Sequence, residues 1–479
     1  MKQRSNPGHH FIQMEENKNE DDEDNIMKII IVGCGKVGYA VAKALAAEQQ
    51  DVVVIDRSAE RIENVTNTVD VMGVVGNGAS FKVQSEAGVQ NADILIAVTE
   101  SDEVNLLCCM IARKTGRSHT IARVSDPVYM AEIPYIKKEL GLAMTLNPEA
   151  ATAGDITRLC KMPAAIEIDT FVKGHVEILK VEIPEGCFLH HQTISDVMRG
   201  FREAVLICAV ERGEEVIIPQ GDFMLLSGDR IAIVGNQKSS ADFVKKMGIP
   251  GLGRVRSAIL VGAGKISEYV AKSMIRQGIH VKVFDSEREK CEHFSIEVPE
   301  AVVIHADASK PEVLSEEGLE RADAFATLTP SDELNVLLSL YAKKYSKCKV
   351  VTMVNHSNYG GVTKALDIGS VMSLQNITTE YIVQYVRAMQ NSQGSNVETL
   401  YRIMDNKVDA LEFVIGENCP ICNIPLQDLH IKQDILVSCI NHLGKIEIAN
   451  GQSVMQEGDT VVVVTTREGL RDIMDMVEK

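Results

Sequence analysis

The stretch from Lys28 to Arg57, KIIIVGCGKVGYAVAKALAAEQQDVVVIDR, leaves this chain few folds to choose from. The apolar run Ile29 to Val32 reads as a buried strand, and the turn Gly33-Cys34-Gly35-Lys36-Val37-Gly38 follows at once. A helical stretch and a second apolar strand ending in Asp56 complete the unit. In a Gly-x-Gly-x-x-Gly turn the first glycine makes the tight bend and the second lets a pyrophosphate approach the backbone. The third lets the helix pack closely on the strand. The helix N-terminus offers unpaired N–H donors and the positive end of its dipole to phosphates. Asp56, 23 residues after Gly33, stands where a carboxylate accepts hydrogen bonds from an adenosine ribose. With these flanks the turn points to nucleotide binding rather than to a plain bend.

The unit recurs within the chain. SAILVGAGKISEYVAKSMIRQGIHVKVFDSE (257–287) places Gly262 on Gly33 and Asp285 on Asp56 at an offset of 229. ADILIAVTESDEVNLLCCMIARK (92–114) then matches ADAFATLTPSDELNVLLSLYAKK (322–344) at an offset of 230. The one-residue slip is expected between Ser80 and Ala92, where a turn absorbs it. Two further pairs follow: VEILKVEIPEGCFLHHQTISDV (176–197) with VDALEFVIGENCPICNIPLQDL (408–429), and PQGDFMLLSGDRIAIVG (219–235) with ANGQSVMQEGDTVVVVT (449–465). A long internal repeat of this kind fixes the architecture before any single motif does.

Each large unit alternates strand and helix about five times over about 120 residues, which makes one doubly wound parallel sheet. Each small unit, of about 80 residues, is strand-rich with Gly and Asp turn signals, and is expected to gain stability by dimerising. The expected class is α/β: two Rossmann-like doubly wound parallel-sheet domains, each followed by a small α+β domain. The expected boundaries are a disordered acidic extension 1–26, a large domain 27–150, and a helix plus small domain 151–248. The second pair is 254–378 and 379–479. Met27 is a candidate natural start; helical patterns span Asn147 to Lys161 and Asn376 to Gln390, and Gly248 to Gly253 reads as the linker between halves.

Composition narrows the function. With 49 Lys and Arg against 67 Asp and Glu, the formal charge of −18 argues against nucleic acid and against adhesion to an anionic membrane surface. No run approaches the ~20 apolar residues of a membrane helix, and the start lacks the apolar core of a secretory signal. The eleven cysteines fall mostly inside expected strands and helices, as Cys108, Cys109, Cys160 and Cys208 do, which fits reduced thiols in a cytoplasmic protein. Cys419-Pro-Ile-Cys422 lacks a second pair and reads as a turn, His190-His191 read as an exposed turn, and no metal site is expected.

The two glycine turns are unequal. The second reads Gly262-Ala263-Gly264-Lys265-Ile266-Ser267, with serine in the third glycine's place, which weakens that site without excluding it. Lys36 and Lys265 each sit where a lysine reaches a phosphate or, equally, where one is solvated at a helix start. Asp56 and Asp285 favour NAD(H) over a 2′-phosphorylated cofactor, and Arg57 leaves slight room for the latter. Thr99 and Thr329 are expected to end the fourth strand of each sheet, at the carboxyl edge where ligands sit. The acids after them, Asp102-Glu103 and Asp332-Glu333, read as helix starts first. Arg123 ends the next strand in the same cleft; its counterpart is Met353, so the first half is expected to bind nucleotide better. No Ser-His-Asp set, Walker loop or sizeable second domain with an acid or base accompanies the turns, so the chain is expected not to be an enzyme. The alternative is an NAD-dependent oxidoreductase acting on a small metabolite.

KIIIVGCGKVG with VVVIDR, DILIAVTESDEVN, the IARV strand and PQGDFMLLSGDRIAIVG, all duplicated in the same order, resemble the tandem RCK (KTN) domains of the TrkA family of potassium-uptake regulators. The resemblance covers residues 27–479 and implies small domains of the RCK C-terminal type. It implies a cytoplasmic regulatory subunit, peripheral on the inner face of the membrane, that docks on a potassium-translocating subunit of the TrkH or TrkG type. It further implies binding of NAD(H) and of ATP or ADP, and a homo-oligomer, dimer or tetramer, with its Rossmann units in a ring. Family binding positions fall on Gly33 to Val37, Asp56, Thr99 and Arg123, and on Gly262 to Ile266 and Asp285.

Overall fold

A computed structural model describes residues 26–171, 176–200, 205–248, 255–355, 366, 368–391, 397–404, 407–417, 419–467, 470 and 472–478. The acidic extension and most of the expected linker lie outside these residues. The first sheet is built from β1 (Lys28–Val32), β2 (Asp51–Asp56), β3 (Met72–Val75), β4 (Ile94–Ala97), β5 (His119–Arg123) and β6 (Leu142–Leu146). Its order is β3-β2-β1-β4-β5-β6, parallel throughout, with Ile29 beside both Val52 and Ile94. Continuous Ile and Val runs suit strands buried on both faces, and Ile29, Ile30 and Ile31 are fully buried. The order reverses between β1 and β4, which opens a crevice at the strands' carboxyl ends.

After the small unit made by β7 (Ala165–Phe171), β8 (Val176–Glu182), β9 (Val205–Arg212), β10 (Glu215–Ile217) and β11 (Arg230–Gly235), the design repeats. The second large sheet contains β12 (Ser257–Val261), β13 (His280–Asp285), β14 (Val302–His305), β15 (Ala324–Thr327), β16 (Lys349–Met353) and β17 (Ser370–Met372). It runs β14-β13-β12-β15-β16-β17, again parallel. Each large sheet therefore has six strands rather than five. The second small unit is β18 (Val397–Ile403), β19 (Val408–Val414), β20 (Ile435–His442), β21 (Lys445–Ile448) and β22 (Thr460–Thr465). Both small sheets are antiparallel and share one strand order, β10-β9-β11-β8-β7 matching β21-β20-β22-β19-β18.

The one-residue slip lies earlier than expected. Helices Ala59–Thr68 and Arg288–Glu297 are still offset by 229, but β3 and β14 are already offset by 230. The extra residue sits in the connection to the third strand, residues 69–71 against 298–301, at the edge of each sheet.

The two halves exchange helices. The first crossover helix, Pro148–Lys161, buries Ala153, Ile156, Leu159 and Cys160 against Val270, Ala271 and Met274 of the second loop helix, Lys265–Ile275. Reciprocally, the second crossover helix, Leu374–Asn391, packs Ile382, Val383 and Val386 on Val41, Ala42 and Leu45 of the first loop helix, Lys36–Ala47. Arg387 of that helix pairs with Glu48, with Nε 3.1 Å from Oε2. The small sheets also pair within the chain: Phe171, Ile178 and Val234 share a core with Ile403, Val462 and Val464, and the Phe171 and Tyr401 rings lie 4.2 Å apart. The partner that the small units were expected to find by dimerising is thus the other half of the same chain.

Lys349 is a buried polar staple in this arrangement. Its Nζ donates to Ser370 Oγ at 2.9 Å and to the carbonyl of Ala165 in β7, so it ties the first half to the second sheet. Burial pushes its ammonium down to about 8. The folded chain therefore holds that proton less tightly than the unfolded chain, and Lys349 becomes less costly as pH rises from about 8 towards 10.5. Urea unfolding at pH 7.5 and 9.5 is expected to show the stability of the native chain, relative to Lys349→Met, rising by roughly 2 kcal/mol. A difference that does not change with pH would contradict this account.

Candidate nucleotide site

β1 ends at Val32, and the chain turns at Gly33, whose φ of +98° lies in the left-handed region. Its N–H donates to Ile55 O at 2.8 Å, and a Cβ there would lie 3.0 Å from the Thr99 nitrogen. At Gly38 a Cβ would lie 1.8 Å from Gly33 O, which no side chain survives without moving the loop. At Gly35 a Cβ would meet nothing within 4 Å: this glycine faces open space. The three glycines thus serve a turn, an open approach and a close helix–strand contact. The loop helix begins at Lys36 with Gly35 as an uncapped N-cap. By contrast, Ser58, Ser101, Asp126 and Asn147 side chains cap the helices that follow them. The free N–H groups at Gly35, Lys36 and Val37 suit an anion.

Asp56 closes the loop from β2. Its Oδ2 accepts the Cys34 N–H at 2.7 Å and its Oδ1 accepts the Ser58 N–H at 2.8 Å, which leaves lone pairs for ribose hydroxyls. Arg61 Nη1 stands 3.7 Å from Oδ2, while Arg57 turns to Asn77 Oδ1 at 2.9 Å. Burial pushes the Cys34 thiol up to about 11, helped by the Asp56 charge, so Cys34 contributes its backbone and a neutral side chain.

Thr99 lies two residues beyond β4 rather than at its end. It is held by Asn105, a fully buried residue that sequence reasoning left out of the site. Asn105 Oδ1 accepts the Thr99 N–H and hydroxyl at 2.8 and 2.7 Å, and its Nδ2 donates to Thr99 O and Arg123 O. One amide therefore fixes the ends of β4 and β5 together. The signal was present, since Asn105 and Asn335 recur in the repeated T-x-S-D-E-x-N. Asp102 is structural as expected: its Oδ2 accepts the N–H groups of Ser125 and Asp126 at 2.8 and 2.7 Å. Arg123 is engaged by Glu149 of the first crossover helix at 2.8 Å, and its Nε donates to Ser125 Oγ at 3.2 Å.

The second half reproduces this frame. Gly262 has φ +108°, Asp285 accepts the Ala263 and Glu287 N–H groups at 2.8 Å each, and Asn335 bridges Thr329 to Met353 O. Gly264 is the uncapped N-cap before Lys265 and Ile266, with open space at its Cβ position. Ser267 is fully buried, and its hydroxyl donates to Gly262 O, the counterpart of the carbonyl that excludes a side chain at Gly38. The serine is compensated rather than merely tolerated. Met353 is buried where the first half has Arg123. In the Cys419–Cys422 turn the Cys422 N–H donates to Cys419 O at 3.0 Å, and among the described residues no His, Cys, Asp or Glu group is arranged to hold a metal. No described helix is long and apolar enough to cross a membrane.

The geometry separates two glycines that the motif treats alike. Gly38→Ala is expected to lose roughly 2–4 kcal/mol in urea unfolding, and Gly35→Ala less than about 1 kcal/mol. Equal losses would show that the loop is not built as described.

Comparison with known proteins agrees with this arrangement. The TrkA-N domain model matches residues 29–148 and 258–374, and the TrkA-C domain model matches 178–248 and 410–477. A Trk system potassium uptake protein TrkA homolog of Archaeoglobus fulgidus is 32% identical over 451 residues, covering 94% of this chain and all of that one. The Trk system potassium uptake protein TrkA of Halomonas elongata is 28% identical over 452 residues, covering 93% and 98%. Among solved structures, the GsuK channel bound to NAD has a TM-score of 0.60 at 16% identity, covering 93% of this chain and 78% of that one. The GsuK RCK domain also has a TM-score of 0.60, with 93% and 94% covered; at this identity both speak to fold alone. The chain therefore belongs to the TrkA family of Trk system potassium uptake proteins, with both family domains present twice.

Proposed function

We propose that the chain is a nucleotide-sensing regulatory subunit of a Trk-type membrane potassium uptake system, with NAD(H) and ATP or ADP as its ligands. The observation that carries this reading is the duplicated glycine loop, with an uncapped helix start and an acidic strand end in each half. In the first half the N–H groups of Gly35, Lys36 and Val37 and the Lys36 side chain would hold phosphates, with Gly33 and Cys34 shaping the turn beneath them and Gly38 keeping the helix close. Asp56 would accept ribose hydroxyls, and Arg57, Thr99 and Arg123 would border the rest of the ligand. In the second half Gly262, Ala263, Gly264, Lys265, Ile266 and Asp285 take the same roles. NAD is the ligand named for the GsuK channel structure of the same fold, which supports it here without deciding the choice.

In this reading the partner is a potassium-translocating subunit of the TrkH or TrkG type, and the chain works as a homo-oligomer at the cytoplasmic face of the membrane. Binding at a glycine loop acts on the helix that starts there. That helix is packed against the crossover helix of the opposite half, so a ligand that prefers one packing shifts the whole assembly. NADH and ATP share adenosine but differ in charge and length, so opposite shifts are physically accessible. No covalent step is required of any residue.

Titration calorimetry on the full chain tests the proposal. Asp56→Asn is expected to weaken NADH binding about 10- to 100-fold by loss of charged hydrogen bonds, and Asp285→Asn less. Absence of binding by the native chain, or steady NADH turnover with a metabolite panel, would overturn it, the latter in favour of an oxidoreductase. With the membrane subunit present, NADH and ATP affinities are expected to shift in opposite directions; unchanged affinities would remove the regulatory role.

A further inference from the structure

A cavity of about 350 Å³ opens beside the first glycine loop, and its walls come from both halves of the chain. Gly35, Lys36, Arg61 and Asn64 line it from the first half, and Asn355 and Gln375 line it from the second. Asn355 stands two residues beyond β16, with its N–H fixed to Asp332 Oδ1 at 2.9 Å. Its side-chain Oδ1 is buried and has no hydrogen-bond partner among the described residues. Buried amide groups are seldom left unpaired, and Asn355 is also part of the cavity wall, beside the uncapped N–H donors. Because amide oxygen and nitrogen exchange places by a flip, the group offers either a donor or an acceptor to what enters.

The repeat shows what is unusual about these two positions. Ser125 is the counterpart of Asn355, two residues beyond β5 with its N–H on Asp102. Glu149, the second residue of the first crossover helix, is the counterpart of Gln375, the second residue of the other. In the first half these residues form a closed cluster: Glu149 holds Arg123 at 2.8 Å and the Ser125 hydroxyl at 3.0 Å. In the second half the arginine is Met353, the carboxylate is the amide of Gln375, and the cluster cannot close on itself. Beside Lys36 and Arg61, a carboxylate at either position would repel an anion, whereas an amide can bond to one.

We infer that Asn355 and Gln375 complete the first glycine-loop site from the second half, as hydrogen-bonding and specificity-determining residues for the phosphates of an adenine nucleotide. The inference rests on the reading of that loop as a nucleotide site and adds a consequence to it. A ligand there touches both halves at once, so its affinity depends on how they pack. The second crossover helix then carries both a wall of the cavity, Gln375, and the apolar face that grips the loop helix, Ile382 to Val386.

The test titrates the full-length chain with ADP and with NADH, comparing the native protein with Asn355→Asp, Gln375→Glu and the double variant. Thermal unfolding without ligand checks that each variant folds, and Gln375→Ala, which adds no charge, serves if the acidic variants do not. The double variant is expected to weaken ADP at the first site about ten-fold or more, and Gln375→Ala about three-fold. If the native chain binds, Asp56→Asn weakens that binding and these variants leave it within two-fold, the composite site is overturned while the nucleotide reading stands. If the native chain binds neither probe, the nucleotide reading falls and the composite site falls with it.

Discussion

Each loop helix of this chain is buried by a helix that belongs to the other half. That exchange of apolar faces is the constraint from which the rest follows. Val41, Ala42 and Leu45 have Ile382, Val383 and Val386 as their cover, and Val270, Ala271 and Met274 have Ala153, Ile156 and Leu159. Without the opposite half, each loop helix would leave that apolar face in water. The small sheets add a second seam through Phe171, Tyr401, Val234 and Val464, and Lys349 adds a polar one through Ala165 and Ser370.

The glycine loops sit where that response can be driven. Their free N–H groups and open Cβ positions lie at the N-terminal ends of the loop helices that the exchanged helices cover, and Asp56 and Asp285 fix the loop backbone from the neighbouring strand. Asn105 and Asn335 hold the next two strand ends rigid, so the crevice has one firm wall. The halves then diverge by a few residues. Arg123, Ser125 and Glu149 satisfy one another, whereas Met353 is apolar and buried and Asn355 and Gln375 line the cavity beside the first loop. Duplication supplied the frame, and divergence at these positions makes the two sites unequal.

Much of this was legible in the residues. Ile29 to Val32 and Val52 to Ile55 are apolar without interruption because both faces of their sheet are covered, and that pattern announces a parallel α/β sheet. The repeat announces the second half and the tandem of large and small units. Periodicity in Asn147 to Lys161 and Asn376 to Gln390 announced an apolar face but not its partner, since nothing in one helix says which sheet will cover it. The slip lies earlier than the matched segments suggest because β3 and β14 are short, half-exposed edge strands whose residues differ between the halves. Arg123 has the strand-end position expected of a residue at the crevice, but its pairing with Glu149, 26 residues away, has no signal in the spacing. Asn105 aligns with Asn335 in the repeat, but a buried asparagine announces itself through hydrogen bonds rather than through spacing. Serine in the third glycine's place points to a weakened second site, and only the carbonyl of Gly262 shows how its hydroxyl is used.

The central claim is that a nucleotide at the first loop is felt by the helix exchanged from the second half. Hydrogen–deuterium exchange across the full chain, with and without saturating NADH, tests it most directly. The account predicts altered amide protection along Leu374–Asn391 as well as at Gly33 to Val37. Protection confined to the loop and Asp56, with the exchanged helix unchanged, would contradict it.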